Sequence, residues 1–281
     1  MAISAVGKGA QDYFPKGDAN AMSLARSIQY AIERNRRQQA KQQLNAAGLI
    51  QKNLFPKAAP CVPHYDIAAR CEPAASAGGD YFAFFPLPAE RMAIIIGDVA
   101  VRGVAPALIM SEARAVLRTL ARVHHDPGEI VSRANEILSD DLVGRMFVTL
   151  FLARIDPASR QVRYAAAGHR AHLFDAAGRI EMVLKSQNPP LGVARQLIDS
   201  SSTEIPMEEG ETLVLFTDGI TESVDRRGVQ FGNQRLYEVV HDFHEKASAD
   251  IIGGIFEAAR AFSSFAPQED DMTAVVVKRS P

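Results

Sequence analysis

Apolar positions recur at helical spacing early in the chain, at Leu24, Ile28 and Ile32 and again at Leu44, Ala47, Ile50 and Leu54. Between the two groups, Glu33 to Gln43 is polar on every face. The spacing predicts a helix over 20–55 that is interrupted only by Gly48 and cannot bury itself in a globular core. After Pro60 the pattern changes to short apolar or alternating runs. Strands are predicted at 65–70, 81–85, 92–98, 147–154, 161–167, 172–174, 180–184, 212–216 and 272–277. Helices are predicted at 104–123, 128–142, 233–246 and 249–264. Strand blocks separated by helix pairs indicate an α+β fold of antiparallel sheets covered by helices. Residues 1–19, rich in glycine and polar side chains, are expected to be disordered, and 56–281 to form one domain.

Composition narrows the function classes. Of 281 residues, 47% are hydrophobic and 23% charged, which excludes wholesale disorder. A net charge of -2 excludes a polyelectrolyte partner for the whole chain. No apolar run approaches the roughly 18 residues of a membrane helix, and no secretory leader is visible, so no membrane insertion and a cytoplasmic location are expected. Charge is uneven, however: residues 1–60 carry nine Lys/Arg against three Asp/Glu. With few aromatics beside those charges, homodimerisation as a short coiled coil outranks contact with nucleic acid or an anionic membrane.

The candidate chemistry lies in where aspartates fall. Asp98 ends the run 92–97, Asp218 follows 212–217 and precedes Gly219, and Asp80 follows Gly78-Gly79. Asp270 and Asp271 precede the last strand. Each alone reads as a turn or cap residue. Together, carboxylates at four strand ends are costly to desolvate and repel one another unless a cation meets them. An all-oxygen set suits Mg²⁺ or Mn²⁺, and two such ions could activate water for attack on phosphorus. Cys61, His64 and Cys71 lack a fourth zinc ligand and read as structural, and His169 reads as a turn residue before it reads as a general acid. Arg70 and Arg102 are candidate phosphate binders that spacing cannot separate. No Gly-x-x-x-x-Gly-Lys-Ser/Thr loop supports a nucleotidase.

Five segments fall in the order of a known family: 76–82 (Ser-Ala-Gly-Gly-Asp-Tyr-Phe), 96–110 beginning Ile-Gly-Asp-Val, Ala167-Gly168-His169, 216–222 (Phe-Thr-Asp-Gly-Ile-Thr-Glu), and Asp270-Asp271-Met272-Thr273. Together they closely resemble the SpoIIE-like, bacterial partner-switching branch of the metal-dependent PP2C-type serine/threonine phosphatases. The segment 47–56 resembles that branch's junction between helix and domain, and the resemblance covers about 47–278. It implies an α-β-β-α sandwich with two Mn²⁺ or Mg²⁺ ions between the sheets. By position, Asp98 resembles the carboxylate that bridges both ions, with the Val99 carbonyl on one of them. Asp218 and Asp270 resemble ligands of the other ion, and Asp80 a further ligand, with Asp271 a weaker candidate. Asp98 and Asp218 are thereby the expected catalytic residues, acting through the activated water. The implied substrate is a phosphoserine or phosphothreonine protein, commonly an anti-sigma-factor antagonist (STAS) domain.

Two positions depart from the family. Ala83 stands where a second acid is usual and Val101 where glycine is usual, and β-branched residues suit a positive φ poorly. The first departure predicts weaker metal affinity, the second an altered turn beside one ion. Both favour the rival reading of a degenerate, scaffolding phosphatase domain; intact Asp98, Asp218 and Asp270 disfavour it.

Overall fold

The computed structural model describes residues 21–100, 104–142 and 146–280, without the Lys41 and Val104 side chains. Expectations for residues 1–19, Val101 and Arg102 lie outside the described residues. The chain divides into two compact units, 1–47 and 48–281.

The first unit holds most of one helix, α1 (Ala21–Lys52). Its apolar positions Leu24, Ile28 and Ile32 stay 46%, 51% and 48% exposed, so the stripe in the sequence has no core behind it. The helix runs through Gly48 without a break. In the second unit a Cβ on Gly48 would lie 1.7 Å from the Ser76 carbonyl oxygen, so glycine here permits close approach of two backbones.

The second unit has ten strands and five helices among the described residues: β1 (Tyr65–Glu72), β2 (Tyr81–Pro86), β3 (Met92–Val99), α2 (Val104–Val123), α3 (Pro127–Leu138), β4 (Val148–Asp156), β5 (Gln161–Ala167), β6 (Ala171–Phe174), β7 (Ile180–Leu184), β8 (Thr203–Pro206), β9 (Thr212–Phe216), α4 (Asp218–Thr221), α5 (Gly232–Asp242), α6 (Ser248–Phe262) and β10 (Met272–Arg279). They form two antiparallel five-stranded sheets, ordered β1-β10-β9-β6-β7 and β2-β3-β4-β5-β8.

Alternation along the strands builds three apolar layers. Ile94, Ile96, Phe151, Leu213 and Val275 face the space between the sheets. Tyr81, Ala83 and Ile95 face Met110, Ala113 and Leu117 of α2. Val214 and Val276 face Ile255 and Phe256 of α6. The result is the expected sandwich, with helices outside both sheets.

The structure departs from the sequence pattern at an early helix end and an unanticipated strand. α3 stops at Leu138, not 142, where the Ser139 amide closes on the Asn135 carbonyl. Its start is sharp: Asp126 caps the Gly128 and Glu129 amides, and Pro127 fills the first turn. β8 was not anticipated, because Thr-Glu-Ile-Pro buries only Ile205 and carries no readable period.

Candidate metal centre

The turns at one end of the sandwich bring the predicted carboxylates together. β2 and β3 are antiparallel with Tyr81 opposite Gly97, so one step further Asp80 lies opposite Asp98. Both then project on the face of Phe82 and Ile96, into the space between the sheets. On the other sheet, β9 runs into Thr217 and Asp218, and the 267–271 segment brings Asp270 alongside. One cleft is lined by Gly79, Asp98, Val99, Asp218 and Asp270. Asp80 lies beneath it, 2% exposed, where Thr217 Oγ1 donates to its Oδ2 at 2.6 Å.

Asp271 has a different task. Its carboxylate accepts from the amides of Ala74 (2.7 Å) and Gly79 (2.8 Å), latching the loop that leads to Asp80. The glycines of both motifs follow from this crowding. A Cβ on Gly78 would lie 2.0 Å from Asp271 Oδ2, one on Gly219 1.9 Å from the Asp271 carbonyl oxygen, and one on Gly79 2.7 Å from the Val99 carbonyl oxygen. Gln51, at the end of α1 and 3% exposed, fixes the same loop. Its Nε2 donates to the Gly78 carbonyl (2.7 Å), and its Oε1 accepts from the Gly78 amide (3.0 Å).

Electrostatics make this cleft a poor place for anions alone. Burial, then the charges of Asp218 and Asp270, push the Asp98 carboxyl up to about 7, against a hydrogen bond with Asp80. Burial and Asp98 drive Asp80 well above the usual carboxylate range. Asp218 is raised by burial and by Asp270. Among the described residues, no ion pair involves Asp80, Asp98 or Asp218. Nor is any group of three His, Cys, Asp or Glu side chains among them already arranged to grip an ion. The donor set still fits Mg²⁺ or Mn²⁺: several carboxylates line one cleft with Val99 beside them, all-oxygen donors of the kind these ions take.

A second wall extends from the same carboxylates. It is lined by Asp98, Thr149, His169, Arg170, Asp218 and Asn233, with Arg170 in the loop joining β5 to β6. Arg170 is exposed and, among the described residues, is the one arginine or lysine lining either side of this cleft. His169 is 7% exposed, with Nε2 unpartnered; burial, then the His172 and Arg170 charges, bring it down to about 4, so it is neutral at pH 7.

Several sequence expectations change here. Arg70 is no phosphate binder: it pairs with Glu72 (Nε–Oε1 2.7 Å) and lies 4.7 Å over the Phe256 ring. Ala83 faces α2, on the side of β2 opposite Asp98, so its short side chain does not remove a group from the cleft. Arg170, Thr217 and Gln51 were missed. Thr217 and Arg170 each adjoin a recognised motif residue, which was the available signal.

Comparison with known proteins agrees with the fold. The family model described as Stage II sporulation protein E (SpoIIE) matches residues 88–280. Phosphoserine phosphatase RsbU of Bacillus subtilis (strain 168) is 25% identical over 243 residues, 86% of this chain and 71% of its own length. The SiaA-PP2C domain of Pseudomonas aeruginosa superposes with a TM-score of 0.75 at 23% identity, covering 87% of this chain and 98% of that domain. The catalytic domain of the serine threonine protein phosphatase PstP, solved with 2 manganese ions, shares the fold at a TM-score of 0.57 and 14% identity, over 77% of this chain and 99% of its own.

Proposed function

The chain belongs to the Stage II sporulation protein E (SpoIIE) family of PP2C-type protein serine/threonine phosphatases, and we propose that its substrate is a phosphorylated anti-sigma-factor antagonist (STAS) domain. Asp98, Asp218 and Asp270, with the Val99 carbonyl, would hold two Mn²⁺ or Mg²⁺ ions, and Asp80 would brace Asp98 from below. The single observation that carries this reading is the Asp98 carboxyl, raised to about 7 by burial and two neighbouring aspartates, in a cleft between two sheets. Bound there, the ions would supply Lewis acidity, making water nucleophilic at neutral pH and offsetting phosphoryl charge.

The protein's own side chains do the rest. Arg170 presents a guanidinium fork on the rim of the cleft, suited to bidentate contact with phosphoryl oxygens. His169, neutral and unpartnered at Nε2, is suited to hydrogen-bond the substrate rather than to protonate it. Thr217 holds the Asp80 carboxyl in place. The exposed stripe of Leu24, Ile28 and Ile32 supports a homodimer through α1. Among the described residues no helix is long and apolar enough to cross a membrane, and the proposed setting is the cytoplasm.

The scaffold alternative loses one of its two supports, since Ala83 faces away from the carboxylates, and the other, Val101, lies outside the described residues. Release of orthophosphate from a phosphorylated STAS domain, with and without Mn²⁺, tests the reading. Binding without release at saturating Mn²⁺ would return the protein to the scaffold class.

A further inference from the structure

A separate cavity opens between the 53–57 junction, β2 and α2. Its basic wall is Lys57, Arg114, Arg118 and Arg122, and no acidic residue lines it. The arginines stand at i, i+4 and i+8 of α2, on one face, spanning roughly 12 Å of its axis. Like charges at that spacing destabilise a helix, yet none of the four cations has an ion-pair partner among the described residues. Arg114 is the most exacting case. Its Nε is buried without a hydrogen-bond partner, and burial and the Arg118 charge pull it below the usual guanidinium range. Phe55 and Phe85 line the same space, and Ala83 is the shortest side chain in its lining.

We propose that this cavity binds a small anion carrying two or more phosphates. Four cations around one concave site exceed what a single carboxylate can neutralise. Guanidinium forks match phosphate oxygens bidentately, and a buried, unpartnered Nε gains most from such a ligand. The concavity is too local for duplex nucleic acid, whose binding needs an extended basic surface. Inorganic diphosphate and a nucleoside diphosphate share the required chemistry; in the second, the base would lie against the apolar part of the lining, Phe55 and Phe85. The site is independent of the phosphatase reading, because it uses none of the carboxylates. Occupied, it would tie the 53–57 junction to α2.

Calorimetry on the full chain in excess EDTA tests this, since chelation removes any divalent ion that could recruit phosphate to the carboxylate cleft. Inorganic diphosphate and ADP are the probes. Saturable one-to-one binding of at least one is expected, weakened on the order of tenfold or more in Arg118→Gln, which loses a charge-assisted contact at an exposed position. The double variant Arg114→Gln/Arg118→Gln should abolish it, while Asp98→Asn should leave it intact. Tighter ADP than diphosphate would assign the ring to the apolar lining; equal affinities would assign the site to phosphates alone. Absence of saturable binding to the wild type, an unchanged affinity in Arg118→Gln, or loss in Asp98→Asn overturns the proposal. So does displacement of diphosphate by a DNA duplex at equal phosphate concentration.

Discussion

Gln51 and Gly78 hold each other by two hydrogen bonds, side-chain amide to main-chain peptide, and the next two residues after Gly78 are Gly79 and Asp80. The last turn of α1 is thus bonded to the loop that sets the cleft. Replacing Gln51 by Ala leaves a buried peptide unpaired on both edges, at a cost of about 1–3 kcal/mol. A lower melting temperature and a raised Mn²⁺ requirement for phosphate release are the expected outcomes. Unchanged metal dependence in Gln51→Ala would reduce the contact to a purely structural one.

The carboxylates make a prediction of opposite signs. At pH 7.5, Asp98→Asn removes a charge that burial and two aspartates oppose, so the chelated protein should melt higher than the wild type. The same variant should lose activity by orders of magnitude and show a smaller rise in melting temperature with Mn²⁺. Asp218→Asn should follow the same pattern. Thermal scans with EDTA and with Mn²⁺ read both signs in one experiment.

Gly219→Ala should be as damaging as loss of a ligand, although glycine carries no chemistry. Its Cβ would meet the Asp271 main chain at 1.9 Å, and backbone cannot swing aside as a flexible side chain can. The expected result is a folded domain with depressed metal response, seen by circular dichroism beside a Mn²⁺ titration. Gly228, where a Cβ meets nothing within 4 Å, has φ +77 and would report strain alone.

His172 predicts a pH dependence. Burial, then the Arg170 charge, bring its imidazole down to about 4 from 6.5, while Tyr237 Oη and His172 Nδ1 share a 2.9 Å hydrogen bond. A base held below its unfolded value stabilises the fold fully above 6.5 and loses that contribution as the pH falls toward about 4. Over that window the wild type should lose melting temperature more steeply than His172→Gln. Parallel slopes would contradict the burial.

Deleting residues 1–45 removes Leu24, Ile28 and Ile32 and leaves Gly48 and Gln51 in place. The full chain should sediment as a dimer and the shortened one as a monomer with altered turnover and an intact metal response. A monomeric full chain, or equal rates per site, would remove the helix from regulation.

Much of the site was legible because strand ends are punctuated by charge. Asp98 and Asp218 each break an apolar run, a signal that survives without any structure. The roles of neighbouring residues were not legible. Asp270 and Asp271 are chemically identical in sequence; only the amides of Ala74 and Gly79, almost 200 residues away, separate the latch from the ligand candidate. Ala83 was misread for a related reason. Which face of β2 it occupies depends on the pleat, and a one-residue shift in register would have reversed the answer. The helix through Gly48 defied its propensity because the Ser76 backbone comes too near for any Cβ.

The pairing of β1 with β10, with Asp271 latched to the 74–79 loop beside it, joins the two ends of the domain in sequence. During synthesis, the cleft therefore cannot form until β10 has left the ribosome, since that strand occupies an interior position between β1 and β9. Contacts of such separation are slow to close and leave the β1 and β9 edges open while they wait. A chain cut before Asp270 would carry four of the five family segments and still lack the strand that joins β1 to β9, so it should build no cleft.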